Sequence, residues 1–127
     1  MTRKIRVLIA EDEFLIALTL KMQLEGLGYE VVGTPQSGAQ AVEMVKELQP
    51  DVVLMDIGMA EVDGISATEQ IMAETPTPIV MLTAYSDRQR VKKALAAGAK
   101  AYVLKPVIDS QLNSAIESAV SSQATSD

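Results

Sequence analysis

Residues 52–56 read Val-Val-Leu-Met-Asp, a run of four apolar residues that ends at an acid. A run this short and this apolar is typical of a strand buried on both faces of a parallel sheet. Three further apolar runs also end at a polar residue. They are residues 5–10 before Glu11, residues 79–82 before Thr83, and residues 101–104 before Lys105. The pattern predicts a sheet with polar side chains at the carboxyl ends of its strands.

Segments with helical spacing of apolar residues separate these runs and a fifth run, residues 30–33. Leu20 and Leu24 mark the first helix, and Ser37 is a typical cap for the second. Gly28 and Gly98 are typical helix stops. The remaining helices are predicted near residues 65–73, 87–97 and 112–119. Five strands alternating with five helices predict an α/β fold with a parallel sheet.

The composition excludes several kinds of chemistry. The 127 residues contain no histidine and no cysteine. Thiol nucleophiles, imidazole bases, Cys/His zinc sites and disulfides are therefore impossible. The length suits a single domain, predicted over residues 1–121, with a polar tail at residues 122–127.

The charge balance argues against two classes of partner. Seventeen acidic and eleven basic residues give a net charge of −6. Direct nucleic-acid binding needs a clustered basic surface, which an acidic chain with few aromatic residues is not expected to form. No apolar run approaches the ~20 residues of a membrane span. We therefore expect a cytoplasmic protein with no membrane and no nucleic-acid partner.

The polar residues that end the strands predict a binding site. Ligands of open parallel sheets bind at the carboxyl ends of the strands. Side chains expected there are Glu11, Asp12, Asp56, Thr83 and Lys105. Three nearby carboxylates repel one another unless a cation intervenes. A hard, oxygen-liganded ion, most naturally Mg²⁺, suits them, and lysine and threonine suit a phosphoryl group.

Each of these residues also has a purely structural interpretation. Asp12 could cap the first helix, Asp56 could be a turn residue, and Thr83 could cap a turn. A lysine followed by proline, as at Lys105, has no obvious structural purpose. The coincidence of four strands ending in complementary polar groups favours the site.

The order and spacing of the motifs resemble the receiver domains of two-component response regulators, in particular single-domain chemotaxis receivers, over nearly the whole chain. The matching segments are residues 7–13 (VLIAEDE), 53–57 (VLMDI), 63–64 (DG), 80–84 (VMLTA), 98–99 (GA) and 102–106 (YVLKP). The resemblance implies a doubly wound, flavodoxin-like sheet of order 2-1-3-4-5 in three α/β/α layers.

The resemblance also implies the chemistry of the site. Asp56 would be the phosphoacceptor, taking a phosphoryl group from a phosphohistidine of a sensor histidine kinase or histidine phosphotransfer protein. Asp12, Asp56 and the backbone carbonyl of Gly58 would bind Mg²⁺ directly, with Glu11 assisting through water. The chain would be a phosphoacceptor that assists its own phosphorylation and dephosphorylation, and not an enzyme with a separate substrate.

Further roles follow from the same resemblance. Lys105, Thr83 and the backbone N–H of Ala84 would contact the phosphoryl group. Thr83 and Tyr102 would form the switch, and the peptide bond before Pro106 is typically cis in this family. The sequence departs from the family pattern at Glu11, where aspartate is more usual, and at Ala60, where proline is common.

The predicted fourth helix carries four basic residues, which are Arg88, Arg90, Lys92 and Lys93. They indicate either a solvated helix face or a contact with a downstream protein or a second copy of the chain. Three other functions stay open. They are a haloacid-dehalogenase-type phosphohydrolase, a flavodoxin-like cofactor binder and a receiver-like module that is never phosphorylated. The stimulus, the cognate kinase, and whether the domain stands alone also stay open.

Overall fold

The computed structural model describes residues 3–59, 64–84 and 88–125, with side chains through Ser121. Strands and helices alternate throughout. The strands are β1 (Arg6–Ala10), β2 (Glu30–Gly33), β3 (Val52–Asp56), β4 (Ile79–Thr83) and β5 (Ala101–Leu104). The helices are α1 (Phe14–Gly26), α2 (Gly38–Leu48), α3 (Gly64–Glu74), α4 (Arg88–Ala97) and α5 (Asp109–Thr125).

The five strands form one parallel sheet in the order β2-β1-β3-β4-β5. The prediction of a doubly wound, flavodoxin-like sheet is therefore confirmed. The order reverses between β1 and β3, since the chain leaves β1 for one edge and returns to build the other. Such a reversal opens a crevice at the carboxyl ends of the two strands, where ligands of this fold bind.

The core consists of two apolar layers, one on each face of the sheet. One layer packs side chains of α2, α3 and α4 against Leu8, Val53 and Met81. The other packs α1 and α5 against Ile9 and Leu54. Successive residues of a strand point to opposite faces, so β1, β3 and β4 can be mostly apolar and bury every residue except Arg6. The central strands are thereby fixed from both sides.

Helix ends agree with the sequence signals where the structure describes them. Ser37 caps α2, its hydroxyl accepting a hydrogen bond from the backbone N–H of Gln40 at 3.2 Å. Gly28 and Gly98 follow α1 and α4 with φ of 95° and 120°, values that glycine adopts without strain. The backbone of α5 continues to Thr125. The predicted boundary at residues 121–122 is untested and stays a prediction.

None of the helices in the described ranges combines the length and the apolar character needed to cross a membrane. Ala60, where the sequence departs from the family pattern, and Asp87, the expected start of the fourth helix, lie outside the described residues.

Candidate functional site

The polar residues that follow the strands lie along one edge of the sheet. In-register pairing of β1 with β3 sets Glu11 beside Asp56. Pairing of β3 with β4, and of β4 with β5, extends the row to Thr83 and Lys105. The backbone N–H of Lys105 donates to the carbonyl of Thr83 at 2.8 Å, which fixes the start of the lysine side chain.

Three carboxylates form the centre of this edge. Glu11, Asp12 and Asp56 each offer an oxygen, and the three oxygens lie within 4.8 Å of one another. Glu11 and Asp56 are buried, whereas Asp12 lies at the surface. The N-cap of α1 is Glu13, which makes no side-chain cap hydrogen bond, so the alternative interpretation of Asp12 as the helix cap is wrong. The cluster is buried on two sides and reaches solvent at Asp12.

Lys105 provides the positive charge that contacts this cluster. Its Nζ lies 3.2 Å from Oε1 of Glu11 and 3.3 Å from Oδ1 of Asp56. The side chain of Lys105 is 27% exposed and is therefore only partly withdrawn from solvent. The peptide bond between Lys105 and Pro106 is cis, as the family resemblance implies.

Burial shapes the electrostatics of Glu11. Burial raises the pKa of its carboxyl from 4.5 to about 7, with the charge of Asp56 adding to the increase. A hydrogen bond from the N–H of Glu13, at 3.1 Å, and the ammonium of Lys105 oppose that rise without cancelling it. The cluster therefore holds more negative charge than the lysine offsets.

The pKa of Lys105 is raised above its ordinary value, although the side chain is partly buried. Burial alone would lower it, but attraction to Asp56 and to Glu11 outweighs burial and raises the pKa. The ammonium form is thus stabilised by the two acids that it contacts.

The donor set suits a hard divalent cation. All of its side-chain donors are carboxylate oxygens, and the chain has no histidine or cysteine to offer a softer ligand. Magnesium prefers oxygen ligands and is commonly held by one or two carboxylates with several waters. The three carboxylate oxygens lie within 4.8 Å of one another, so a divalent cation among them would offset their mutual repulsion. The residues present therefore fit Mg²⁺.

Thr83 and Tyr102 lie on the neighbouring strands β4 and β5 and differ in exposure. Thr83 is fully buried, and its hydroxyl donates to the carbonyl of Ala84 at 3.1 Å. The side chain of Tyr102 is 49% exposed. It lines a groove of about 350 Å³ between α4 and β5, together with Ala84, Arg88, Val91, Lys92, Leu95 and Leu104.

The four basic residues of α4 do not form one surface. Arg88 and Lys92 line the groove beside Tyr102. Lys93 is exposed outside that groove. Arg90 points the other way, towards the acidic site, and its Nη2 donates to the backbone carbonyl of Ile57 at 2.6 Å. This contact could not be predicted from the sequence, because it depends on how α4 docks against the sheet.

The sequence profile of the response regulator receiver domain matches residues 7–117. The chain belongs to the response regulator receiver family. Receiver domains are parts of two-component systems, and they typically accept a phosphoryl group rather than act as catalysts. They interact with histidine kinases and with downstream partners. An acidic triad such as Glu11, Asp12 and Asp56 is typical of the Mg²⁺ site in these domains.

Two curated relatives and one solved structure illustrate the match. The chain is 49% identical over 116 residues to the transcriptional regulatory protein PdtaR of Mycobacterium tuberculosis, covering 91% of this chain but 57% of that protein. It is 40% identical over 112 residues to the chemotaxis protein CheY of Thermotoga maritima, covering 87% of this chain and 93% of CheY. The chain thus spans little more than half the length of one relative and nearly all of the other.

The solved structure is the CheX-CheY-BeF3-Mg²⁺ complex from Borrelia burgdorferi. The receiver described here is 28% identical to the matched chain and superimposes on it with a TM-score of 0.83, covering 90% of this chain and 87% of that one. The receiver fold of the present chain is therefore shared over most of its length.

Proposed function

We propose that this receiver domain is a signalling switch in which Asp56 accepts a phosphoryl group from a phosphohistidine of a sensor histidine kinase or histidine phosphotransfer protein. The observation that supports this most directly is the placement of the Asp56 carboxylate. It is buried at the carboxyl end of β3, contacts Lys105 at 3.3 Å and lies beside two further acids. Glu11 is also buried and also contacts Lys105, and the family resemblance distinguishes Asp56 as the acceptor.

The transfer needs a nucleophile and a leaving group. A carboxylate oxygen of Asp56 forms the new bond to phosphorus while the P–N bond to the partner's imidazole breaks. The electron pair of that bond stays on the imidazole nitrogen, which takes up a proton. The result is an acyl phosphate on Asp56 and a neutral histidine on the partner, so the missing histidine of this chain is supplied in trans.

The surrounding residues orient the acceptor and offset charge. Glu11, Asp12, Asp56 and the carbonyl of Gly58 would hold Mg²⁺, which when bound would neutralise phosphoryl and carboxylate oxygens. Lys105 would pair with a phosphoryl oxygen from its position 3.3 Å from Asp56. Because these groups are placed before the donor arrives, little reorganisation is needed during transfer.

The relay to a partner would pass through Thr83 and Tyr102. In the present structure the Thr83 hydroxyl donates to the backbone carbonyl of Ala84, and Tyr102 lines the surface groove. A phosphoryl group on Asp56 would offer the Thr83 hydroxyl and the Ala84 N–H a stronger, charged acceptor. Rearrangement of Thr83 and Tyr102 would then remodel the groove for a downstream protein or a second copy of the chain.

Labelling by a small phosphodonor tests the proposal directly. With acetyl phosphate and Mg²⁺, we expect the intact mass to rise by one phosphoryl group. Borohydride reduction followed by peptide mapping should place that group on Asp56. Removing Mg²⁺ with EDTA should slow labelling at least about 100-fold. If neither acetyl phosphate nor a phosphohistidine protein labels the chain, the unphosphorylated interaction module becomes the better description.

Replacing Lys105 tests the role of the ammonium. Lys105→Met keeps a similar length but removes the charge that contacts Asp56 and Glu11. The phosphoryl group would then approach a more negative site, so we expect the labelling rate to fall about 10-fold or more. The measurement is the initial rate of mass gain with acetyl phosphate and saturating Mg²⁺.

Lys100→Met is the matched control for that variant. Lys100 is exposed and precedes β5 at the end of the strand opposite Lys105. The Lys100→Met variant also loses one positive charge, but at a site that does not contact the acidic cluster. Its labelling rate should therefore equal that of the wild type. Equal rates for Lys105→Met and Lys100→Met would show that the contact with Asp56 does not assist the transfer.

A further inference from the structure

One peptide group beside the acceptor is held at both ends. The carbonyl of Ile57 accepts a hydrogen bond from Nη2 of Arg90 at 2.6 Å. The N–H of the same peptide belongs to Gly58 and donates to Oδ1 of Asp56 at 3.1 Å. A peptide group is planar and rigid, so the direction of its carbonyl fixes the direction of its N–H. The guanidinium and the acceptor carboxylate are therefore connected through a single rigid group.

This peptide would otherwise be easy to rotate. The N–H of Ile57 is anchored to the carbonyl of Leu82 at 3.0 Å, and the Ile57 side chain is buried. On the other side, Gly58 is exposed and has no side chain to restrict it. The hydrogen bond from Arg90 thus restrains the Ile57–Gly58 peptide on the side where the backbone is most permissive.

The guanidinium also acts through charge. The permanent positive charge of Arg90 lies beside the Ile57 carbonyl and polarises the Ile57–Gly58 peptide. This polarisation strengthens the hydrogen bond that the Gly58 N–H donates to the Asp56 carboxylate. A Cβ placed on Gly58 would lie 3.6 Å from Nη1 of Arg90 and 4.0 Å from Oδ1 of Asp56. The guanidinium and the acceptor therefore flank the same small space, which glycine leaves open.

We propose that Arg90 is a positioning residue of the phosphoacceptor site, holding the Asp56 carboxylate in its reactive orientation through the Ile57–Gly58 peptide. The inference rests on the proposed function of Asp56. It also gives α4 a second role, because the same helix presents Arg88 and Lys92 to the groove beside Tyr102. A partner that binds in the groove and shifts α4 would alter the hydrogen bond from Arg90 to the Ile57 carbonyl, and so the orientation of Asp56. By linkage, phosphorylation of Asp56 would change the affinity for that partner by the same factor.

The test compares Arg90→Met with the wild-type chain in two measurements. In labelling with acetyl phosphate, we expect the saturating rate to fall about 10-fold, as for one lost hydrogen bond to a charged group. The half-saturating concentration should change less than about 2-fold, since Arg90 acts on the acceptor and not on donor binding. In NMR spectra, the Gly58 amide should shift upfield and exchange with solvent about 10-fold faster.

Two further variants separate positioning from helix stability. Lys93→Met removes an exposed charge from the same helix and should leave both measurements unchanged. Arg90→Lys keeps a charged donor and should restore at least about half of the saturating rate. Should Arg90→Met not fold, Arg90→Gln removes the charge with a smaller change and carries the same expectations.

The outcomes distinguish this inference from the proposed function. A wild-type chain that neither acetyl phosphate nor a phosphohistidine protein labels overturns the proposed function, and the positioning role with it. If the wild type is labelled, the inference alone fails in either of two cases. One is an Arg90→Met variant with an unchanged saturating rate. The other is a slowed variant whose Gly58 amide stays unchanged, because the route through the peptide would then be wrong.

Discussion

Asp56→Asn is expected to abolish labelling by acetyl phosphate in the presence of Mg²⁺, with a loss of more than about 1,000-fold. The amide has the shape of the carboxylate but is not a nucleophile, and it removes one negative charge from the proposed metal site. Its carbonyl oxygen can still accept the hydrogen bond from the Gly58 N–H. The fold should therefore survive, so that the loss reports on chemistry. The measurement is intact mass after prolonged incubation with the donor.

The control for this variant lies at the other end of the same strand. Asp51 directly precedes β3 and accepts hydrogen bonds from Arg3 and from the backbone N–H of Arg6, far from the acidic cluster. Asp51→Asn should be labelled to the same extent as the wild type, although loss of its ion pair should lower stability slightly. Stoichiometric labelling of Asp56→Asn would instead move the acceptor to another acid, with Asp12 the first candidate.

The architecture could be predicted because the sequence carries a repeated physical pattern. Runs such as residues 52–56 are too apolar for a half-exposed strand and too short for most helices. Their alternation with amphipathic segments leaves few arrangements besides a doubly wound sheet. The convergence of Glu11, Asp56 and Lys105 then follows, because parallel strands that start together also end together.

Roles within the site could not be assigned by the same reasoning. That Asp56 rather than Glu11 is the acceptor came from the family resemblance. The structure adds that burial raises the pKa of the Glu11 carboxyl to about 7. Near neutral pH Glu11 thus holds a proton more readily than a solvent-exposed glutamate, which weakens it as a nucleophile when no cation is bound.

Contacts that depend on tertiary packing could not be predicted from the sequence. The sequence alone groups Arg90 with Arg88, Lys92 and Lys93, because all four are basic and close together. On a helix, however, residues two apart point to different sides, and only docking of α4 reveals that Arg90 faces Ile57. Met59 shows the same limit, because it follows the exposed Gly58 in the sequence and yet is 4% exposed and packs in the core.

Gly64→Ala is expected to destabilise the domain by about 3 kcal/mol and to lower the Tm by about 10 °C. Gly64 begins α3 and is buried against the end of β3. A Cβ there would lie 3.1 Å from the carbonyl carbon of Asp56 and from Cα of Ile57, and closer still to the Asp56 carbonyl oxygen. All three atoms belong to the backbone, so no side-chain rotation can relieve the overlap. Calorimetric unfolding measures the effect.

Labelling should slow in the same variant, because α3 can make room only by displacing the backbone that carries the acceptor. The backbone conformation of Gly64 is one that other residues also adopt, so the expected cost comes from space and not from strain. Gly26→Ala, in α1, is the control. No atom lies within 4 Å of its added Cβ, and alanine favours a helix, so the Tm should hold or rise slightly. A Gly64→Ala variant that melts and labels like Gly26→Ala would show that α3 can move away from β3 without disturbing Asp56.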